Sequence, residues 1–214
     1  MLTGKQTLKA AALFAAGLMA VSTAALAIAD PDNPDWPCVQ KKVENLSVTA
    51  VWDGPSLEEH GDWSKDQKIS QLVTKLASRR VPIEKALAAV DAFAKATPDA
   101  ERDAKLTKVF AGLFKTVNTQ RRSVISGIEK YQRSQKSRAE ELEQQGVDLA
   151  KLKGDIVVDD TAAVPPSPEE DKLYWAGRIF QERQANIPIA CELPAIIEER
   201  LFELSRHIRT LMSK

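Results

Sequence analysis

Apolar residues recur every three or four positions along most of the chain after Ser64, which is the pattern of helices that bury one face. One clear run comprises Ile69, Leu72, Val73 and Leu76. The most regular run alternates steps of four and three residues, as in bundles and coiled coils, and comprises Ile197, Leu201, Leu204, Ile208 and Leu211. The pattern predicts an all-α fold: a helical bundle of about five helices with one long helix, forming a single domain over residues 30–214.

Capping residues predict where these helices begin. Ser64 with Gln67 three positions later has the form of a capping box. Pro82 and Pro98 stand at first-turn positions, where the missing N–H of proline costs nothing. A later helix start combines a cap, a first-turn proline and a capping box in Ser167, Pro168 and Glu170. The prolines at 188 and 194, with Cys191 between them, predict a tight corner before the last helix.

The long helix is predicted over residues 99–145, with Gly146 as its C-cap and Leu149 and Leu152 in a short return turn. Its apolar content falls sharply over residues 129–145, although charged residues remain frequent there. This part of the helix is expected to project from the body or to fold back. Two interpretations stay open: an arm kept for a partner, or a solvated helix end. Residues 155–168, acidic and then rich in proline, form a predicted internal linker.

The first part of the mature chain, residues 30–62, is irregular and contains four prolines. Its one strand-like piece spans residues 46–52, and Trp36, Trp52 and the adjacent Trp63 supply large rings. A proline-rich segment of this kind can lie across a helical body and bury its rings in grooves. The same tryptophans could instead form a partner surface.

The first 29 residues have the pattern of a secretory signal peptide: Lys5 and Lys9, an uncharged apolar stretch, and small residues that allow cleavage after Ala27 or Ala29. An uncleaved membrane anchor is the alternative. No second apolar run of membrane length follows, so no integral membrane segment is expected after cleavage. We therefore expect a periplasmic or secreted bacterial protein.

Two cysteines, Cys38 and Cys191, remain after signal removal. In an exported chain of this size they are expected to form one disulfide bond that ties the N-terminal segment to the last helical unit. A redox-active pair would show close Cys-x-x-Cys spacing, which is absent.

Composition and motifs exclude several functional classes. The chain has 30 basic and 30 acidic residues, so no net charge points to nucleic acid. No nucleophile elbow, phosphate loop, zinc-protease helix or haem-attachment motif is present, so the chain is not expected to be an enzyme or to hold a cofactor. His60 lies among carboxylates in one loop, which makes His60, Asp62 and Glu58 weak metal candidates, and a solvated acidic loop is the preferred interpretation.

The sequence thus predicts an exported helical protein that acts as an interaction, scaffold or accessory factor for an envelope system, with another envelope protein as its partner. The alternative is a periplasmic module that binds a small ligand or metal in a groove between the N-terminal segment and the bundle. The candidate partner surfaces are the tryptophan-rich segment and the charged part of the long helix, with residues Trp36, Trp52, Trp63, Arg133, Arg138 and Glu141.

Overall fold

The computed structural model describes residues 32–57, 62–154 and 165–213. The helices are α1 (Val48–Val51), α2 (Gln67–Ala77), α3 (Ile83–Lys95), α4 (Asp99–Gly154), α5 (Pro168–Gln184) and α6 (Ile187–Thr210), with a 3-10 turn at Trp63–Lys65. No strand occurs within these described ranges. The predicted all-α fold of about five helices with one long helix is therefore confirmed, and α1 is one extra turn.

Helix α4 is the axis of the molecule. Its 56 residues correspond to about 84 Å at 1.5 Å per residue. Helices α5 and α6 run antiparallel to it, because residue numbers rise along α4 as those of their partners fall. The facing pairs are Asp103 with Ser213, Arg121 with Glu198, Tyr131 with Arg183, and Lys153 with Glu170. Together α4 and the α5–α6 leg form one long helical hairpin.

The hydrophobic core lies in one half of this hairpin, which we call the body. There α2 packs on the first half of α4, and α3 packs on α2 and on the second half of α6. Fully buried side chains from α2, α4 and α6 fill the interface, including Ile69, Leu76, Phe110, Leu201 and Leu204. The other half, residues 129–154 of α4 together with α5, we call the arm.

Residues 32–57, the strap, lie along α4 in the opposite direction. Asp35 bonds Arg133 and Lys136, Lys42 bonds Glu129, and the backbone N–H of Leu46 donates to Asn118. Further along, the Trp52 ring stacks on Phe110, with 4.1 Å between ring centroids. The expectation that the irregular segment buries rings against the helices is confirmed for Trp36 and Trp52.

Two local predictions in the first part of the chain are wrong. The strand-like residues 46–52 contain the helical turn α1 instead, and the part of the chain that the structure describes offers no strand to pair with them. Helix α2 is capped by Asp66, whose carboxylate accepts from the N–H groups of Lys68 and Ile69. Asp66 lies between the residues of the predicted Ser64–Gln67 box, and a carboxylate is an equally good cap. The Ser167–Glu170 capping box of α5 is confirmed.

The long helix does not end at Gly146 but continues to Gly154, through the predicted return turn. A Cβ atom at Gly146 would lie 4.0 Å from Leu173, so this position faces α5. Packing on α5 offsets the cost of a helical glycine, which is about 1 kcal/mol. Of the predicted linker 155–168, residues 155–164 lie outside the described ranges, and α5 already begins at Pro168.

The predicted corner at Pro188, Cys191 and Pro194 is also wrong, because the break lies at Ala185 and Asn186 and both prolines are helical. Pro188 is in the first turn of α6, where no N–H is needed. Pro194 lies inside α6 and leaves the carbonyl of Ala190 without its usual helical donor.

Candidate functional site

The strap is joined to the hairpin by the disulfide bond between Cys38 and Cys191, whose Cα atoms are 5.5 Å apart. The predicted pairing of these cysteines is confirmed. Beside it, Trp36 packs on Ile125 and Ile128 of α4, and its indole N–H donates to the carbonyl of Gln40 at 2.6 Å. The disulfide therefore joins the strap to α6, and Trp36 joins the strap to α4, at the level where the body meets the arm.

Arg121 lies next to this junction with only 4% of its surface exposed. Its Nε donates to Glu198 of α6 at 2.5 Å, and its Nη1 donates to the carbonyl of Val43 in the strap. Neither Arg121 nor Glu198 is among the candidate residues of the sequence, so this pair was not predicted. The available signal was position: Arg121 occupies the place between Val117 and Ile125 where the apolar spacing of α4 is interrupted.

A cavity of about 200 Å³ lies at the same junction and is lined by residues of the strap, α4 and α6, among them Trp36, Val43, Arg121, Ile125, Pro194 and Glu198. Ligand pockets usually measure about 300–1,000 Å³. The one cation in the lining that is buried, Arg121, already has a carboxylate partner. A groove between the strap and the bundle is therefore present, but its small volume and its already paired cation do not favour the small-ligand alternative.

The tryptophans of the candidate partner surface belong to the core instead. Trp36 and Trp52 are only 6% and 8% exposed, so their rings cannot contact a partner in this conformation. Trp63 is half-buried. Its ring lies on α4 so closely that a Cβ atom at Gly112 would be 2.6 Å from it. The expectation that these rings are buried is correct for Trp36 and Trp52, and their burial removes both from the candidate partner surface.

The charged candidates lie on the arm. Arg133 bonds Asp35 of the strap at 3.1 Å, and hydrogen bonds from Arg133 and then Lys136 hold the pKa of Asp35 below its ordinary value. Arg138 and Glu141 form an exposed pair at 2.7 Å on α4. Arg133 therefore fixes the strap, whereas Arg138 and Glu141 stay available to a partner.

The metal candidates His60 and Glu58 lie outside the described residues. The third, Asp62, accepts hydrogen bonds from the N–H and hydroxyl of Ser64, which lower its pKa. Within the described ranges, no group of three histidine, cysteine, aspartate or glutamate side chains is placed to hold a metal ion. The other histidine, His207, bonds Asp91 at 2.7 Å and links α6 to α3.

The inner side of the arm contains polar groups that sequence reasoning did not anticipate. Gln135 is almost fully buried, and neither its side-chain oxygen nor that of Gln132 has a partner among the described residues. Tyr131 donates to the carbonyl of Arg183, and Lys153 pairs with Glu170, lowering the pKa of that carboxyl. One side of residues 129–145 is thus covered by α5 and the strap, and the other side is exposed.

The outer side of the arm is apolar in places. Helix α5 has no buried residue in its 17 positions. Tyr174 and Trp175 are 60% and 62% exposed and contact each other edge to face, with ring centroids 5.4 Å apart. Large aromatic rings left in solvent are a recognised sign of an interaction surface.

A regular series of positions connects these exposed residues with others on α6. The side of the α5–α6 leg that faces α4 is buried or half-buried at Leu173, Gly177, Phe180, Gln184, Ile187, Cys191 and Pro194. Its steps of four and three continue unshifted across the break at Ala185 and Asn186. Residues two positions later point about 200° away. The positions two after these inner ones therefore lie on the opposite side of the leg. Together with position 172, one step earlier, we call them the outer seam: Lys172, Trp175, Ile179, Glu182, Asn186, Ile189, Leu193 and Ile196.

All outer-seam residues are exposed except Leu193, which is half-buried. The same series continues into the body with Arg200 and His207, where it is covered: Arg200 donates to the carbonyl of Leu76 in α2, and His207 bonds Asp91 in α3. Burial there lowers the pKa of Arg200. One face of the leg is therefore covered by helices in the body and uncovered from residue 172 to 196.

Comparisons with known proteins add no assignment: no family model matches the chain, and neither a curated protein nor a solved structure does. None of the described helices is long and apolar enough to cross a lipid bilayer.

Proposed function

We propose that this chain is an exported protein of the bacterial envelope that works by binding proteins, as an interaction, scaffold or accessory factor, and that the arm presents the binding surface. The observation that carries the proposal is the state of α5, whose 17 residues include none that is buried and two aromatic rings that are more than half exposed.

The distribution of apolar surface supports this choice of location. Of the ten large hydrophobic residues exposed in the described part of the chain, five lie on the arm: Val147, Leu152, Tyr174, Trp175 and Ile179. Scattered exposed apolar residues are ordinary, whereas their concentration in one part of the molecule indicates a contact surface.

The construction of the arm also suits recognition. Its two helices are joined to the body without a break in α4, and the strap bonds its base through Asp35 and Lys42. A surface on rigid helices loses little conformational entropy when it binds, so more of the contact energy remains as affinity. The charged pair Arg138 and Glu141 lies on the same arm and can add specificity.

A photo-crosslinking experiment in the native envelope tests the proposal. A photoreactive residue in place of Gln144 on α4 or Tyr174 on α5 should give adducts with a specific envelope protein. The matched control is Ala88 on α3, an exposed position on the body. Absence of adducts from both arm sites, or equal adducts from Ala88, would contradict the proposal.

Export is tested separately. Mass spectrometry of the native protein should find a mature chain that begins at Ile28 or Asp30, as the two small-residue cleavage sites predict. A dominant species that begins at Met1 would refute the secreted part of the proposal.

A further inference from the structure

The outer seam has the dimensions and spacing of a helix-pairing surface. It extends over 25 positions, about 37 Å of helix. Its steps from Lys172 to Ile196 are three, four, three, four, three, four and three residues, which is the spacing of coiled-coil contact positions. In the body the continuation of this face is covered by α2 and α3, so a helix is the natural cover for the remainder.

We infer that the outer seam binds the outer seam of a second copy of this chain, with the two α5–α6 legs antiparallel and related by a two-fold axis. This contact covers Trp175 and Ile179 and leaves Tyr174 of α5, with the charged pair Arg138 and Glu141 of α4, to the envelope partner proposed for the arm. Its argument rests on self-complementarity, which every two-fold interface requires: if one residue contacts another, the second must contact the first across the axis.

The spacing of the seam is the same in both directions, so an antiparallel copy matches it position for position. In that register Trp175 meets Leu193 of the second copy, and Ile179 meets Ile189 of the second copy. By symmetry, four apolar contacts form. Glu182 meets Asn186 of the second copy near the axis, where a carboxylate can accept from an amide. The apolar residues between positions 175 and 193 thus pair with apolar residues and Glu182 pairs with Asn186, while Lys172 meets Ile196 of the second copy at each end of the seam.

The charges of Arg178 and Glu192 favour the same register, against one like-charged contact between Arg183 and its counterpart at the axis. Arg178 and Glu192 flank the seam, both are exposed, and neither makes an ion pair within the described ranges. They lie 14 residues apart, about 21 Å along the leg, too far to pair within one chain. In the antiparallel register, Arg178 of each copy lies next to Glu192 of the other copy. The like-charged Asp171 and Glu199 fall at the solvated ends, where salt screens them.

The area available sets the expected affinity. A helix contact about 37 Å long and about 15 Å wide covers roughly 550 Å² on each copy, or about 1,100 Å² in total. This is near the lower limit for specific interfaces, so the dimer should be reversible, with a Kd in the micromolar range. Concentration-dependent sedimentation of the mature, disulfide-bonded chain should show exchange between monomer and dimer.

Two sets of variants test the surface and the register. Ile179→Glu should weaken the dimer by at least about 30-fold, because the dimer loses both of its central contacts between Ile179 and Ile189. Val147→Glu, on α4, is the matched control, since Val147 is 44% exposed and Ile179 is 49% exposed. Arg178→Glu and Glu192→Arg should each weaken the dimer, and the double variant should restore it.

The restoration can only be intermolecular, given the distance between the two residues, and both are exposed, so the fold should be unaffected. Circular dichroism of every variant checks this point. A chain that stays monomeric up to about 200 μM, far above the expected micromolar Kd, would overturn the inference. So would a dimer that Val147→Glu weakens as much as Ile179→Glu, or a charge swap that does not restore association. Adducts from Gln144 with an envelope protein would remain valid in each of these cases.

Discussion

Replacing Arg121 with methionine tests whether one buried cation holds the strap, α4 and α6 together. The variant keeps most of the side-chain volume but leaves Glu198 without its cation and the carbonyl of Val43 without a donor. Breaking a buried ion pair by removing one partner typically costs about 3–5 kcal/mol. The Glu198 side chain is 28% exposed, so water hydrates part of the stranded charge. We therefore expect a loss of about 2–4 kcal/mol of unfolding free energy.

The measurement is denaturant unfolding of the disulfide-bonded chain, followed by circular dichroism. Arg122→Met is the matched control, because Arg122 is the next residue on α4 and is exposed, and it should change stability by less than about 0.5 kcal/mol. In a double-mutant cycle, Arg121→Met with Glu198→Leu should be more stable than the sum of the single changes predicts by at least about 1 kcal/mol.

Two results would refute this reasoning. If Arg121→Met costs no more than Arg122→Met, the guanidinium does not hold the junction. If the effects at 121 and 198 add without coupling, the ion pair is not the source of the stability, and the loss comes from packing alone.

Three further predictions concern the disulfide, the arm and the strap. Thiol titration of denatured, unreduced protein should find no free cysteine, and replacing Cys38 and Cys191 with serine should cost up to about 5 kcal/mol, as expected for closing a loop of 153 residues. Removing residues 140–179 and joining the flanks with a short glycine–serine loop should leave the thermal midpoint nearly unchanged, because the core lies in the body; a large drop would contradict this division. The stabilisation from Asp35 should be present above the unfolded pKa of an aspartate, about 4, and be lost as the pH falls through its lowered folded pKa. The stability difference between the wild type and Asp35→Asn should accordingly vanish in acid, and a difference independent of pH would exclude the ion pair with Arg133 as its cause.

Local spacing was sufficient to predict the helices that form the core. The runs at 69–76 and 197–208 contain their own evidence of burial, because a helix that buries one face must place apolar residues on that face. The capping box at Ser167 and the disulfide could also be predicted, the first from adjacent residues and the second from the count of cysteines.

The errors arose where a distant part of the chain decides the local outcome. Glycine ends many helices, but here Gly146 faces Leu173 of α5 and the helix continues. Pro194 suggested a corner, yet α6 passes through it beside the disulfide-bonded Cys191. The location of Arg121 required knowledge of which strap residue passes over it. The outer seam was hidden for the same reason, since the predicted corner cut its spacing in two.

The unbroken course of α4 from the body core to the tip of the arm makes the helix a mechanical lever. Phe110 and Leu113 lie deep in the body, whereas Gly154 lies at the far end of the same helix. A rotation of about 5° at the base of the arm would move the tip by roughly 3 Å over the last 25 residues. Because packed interiors resist small deformations, a force applied at the tip reaches the core side chains instead of being absorbed on the way. Whatever pulls on the arm pulls on the body as well.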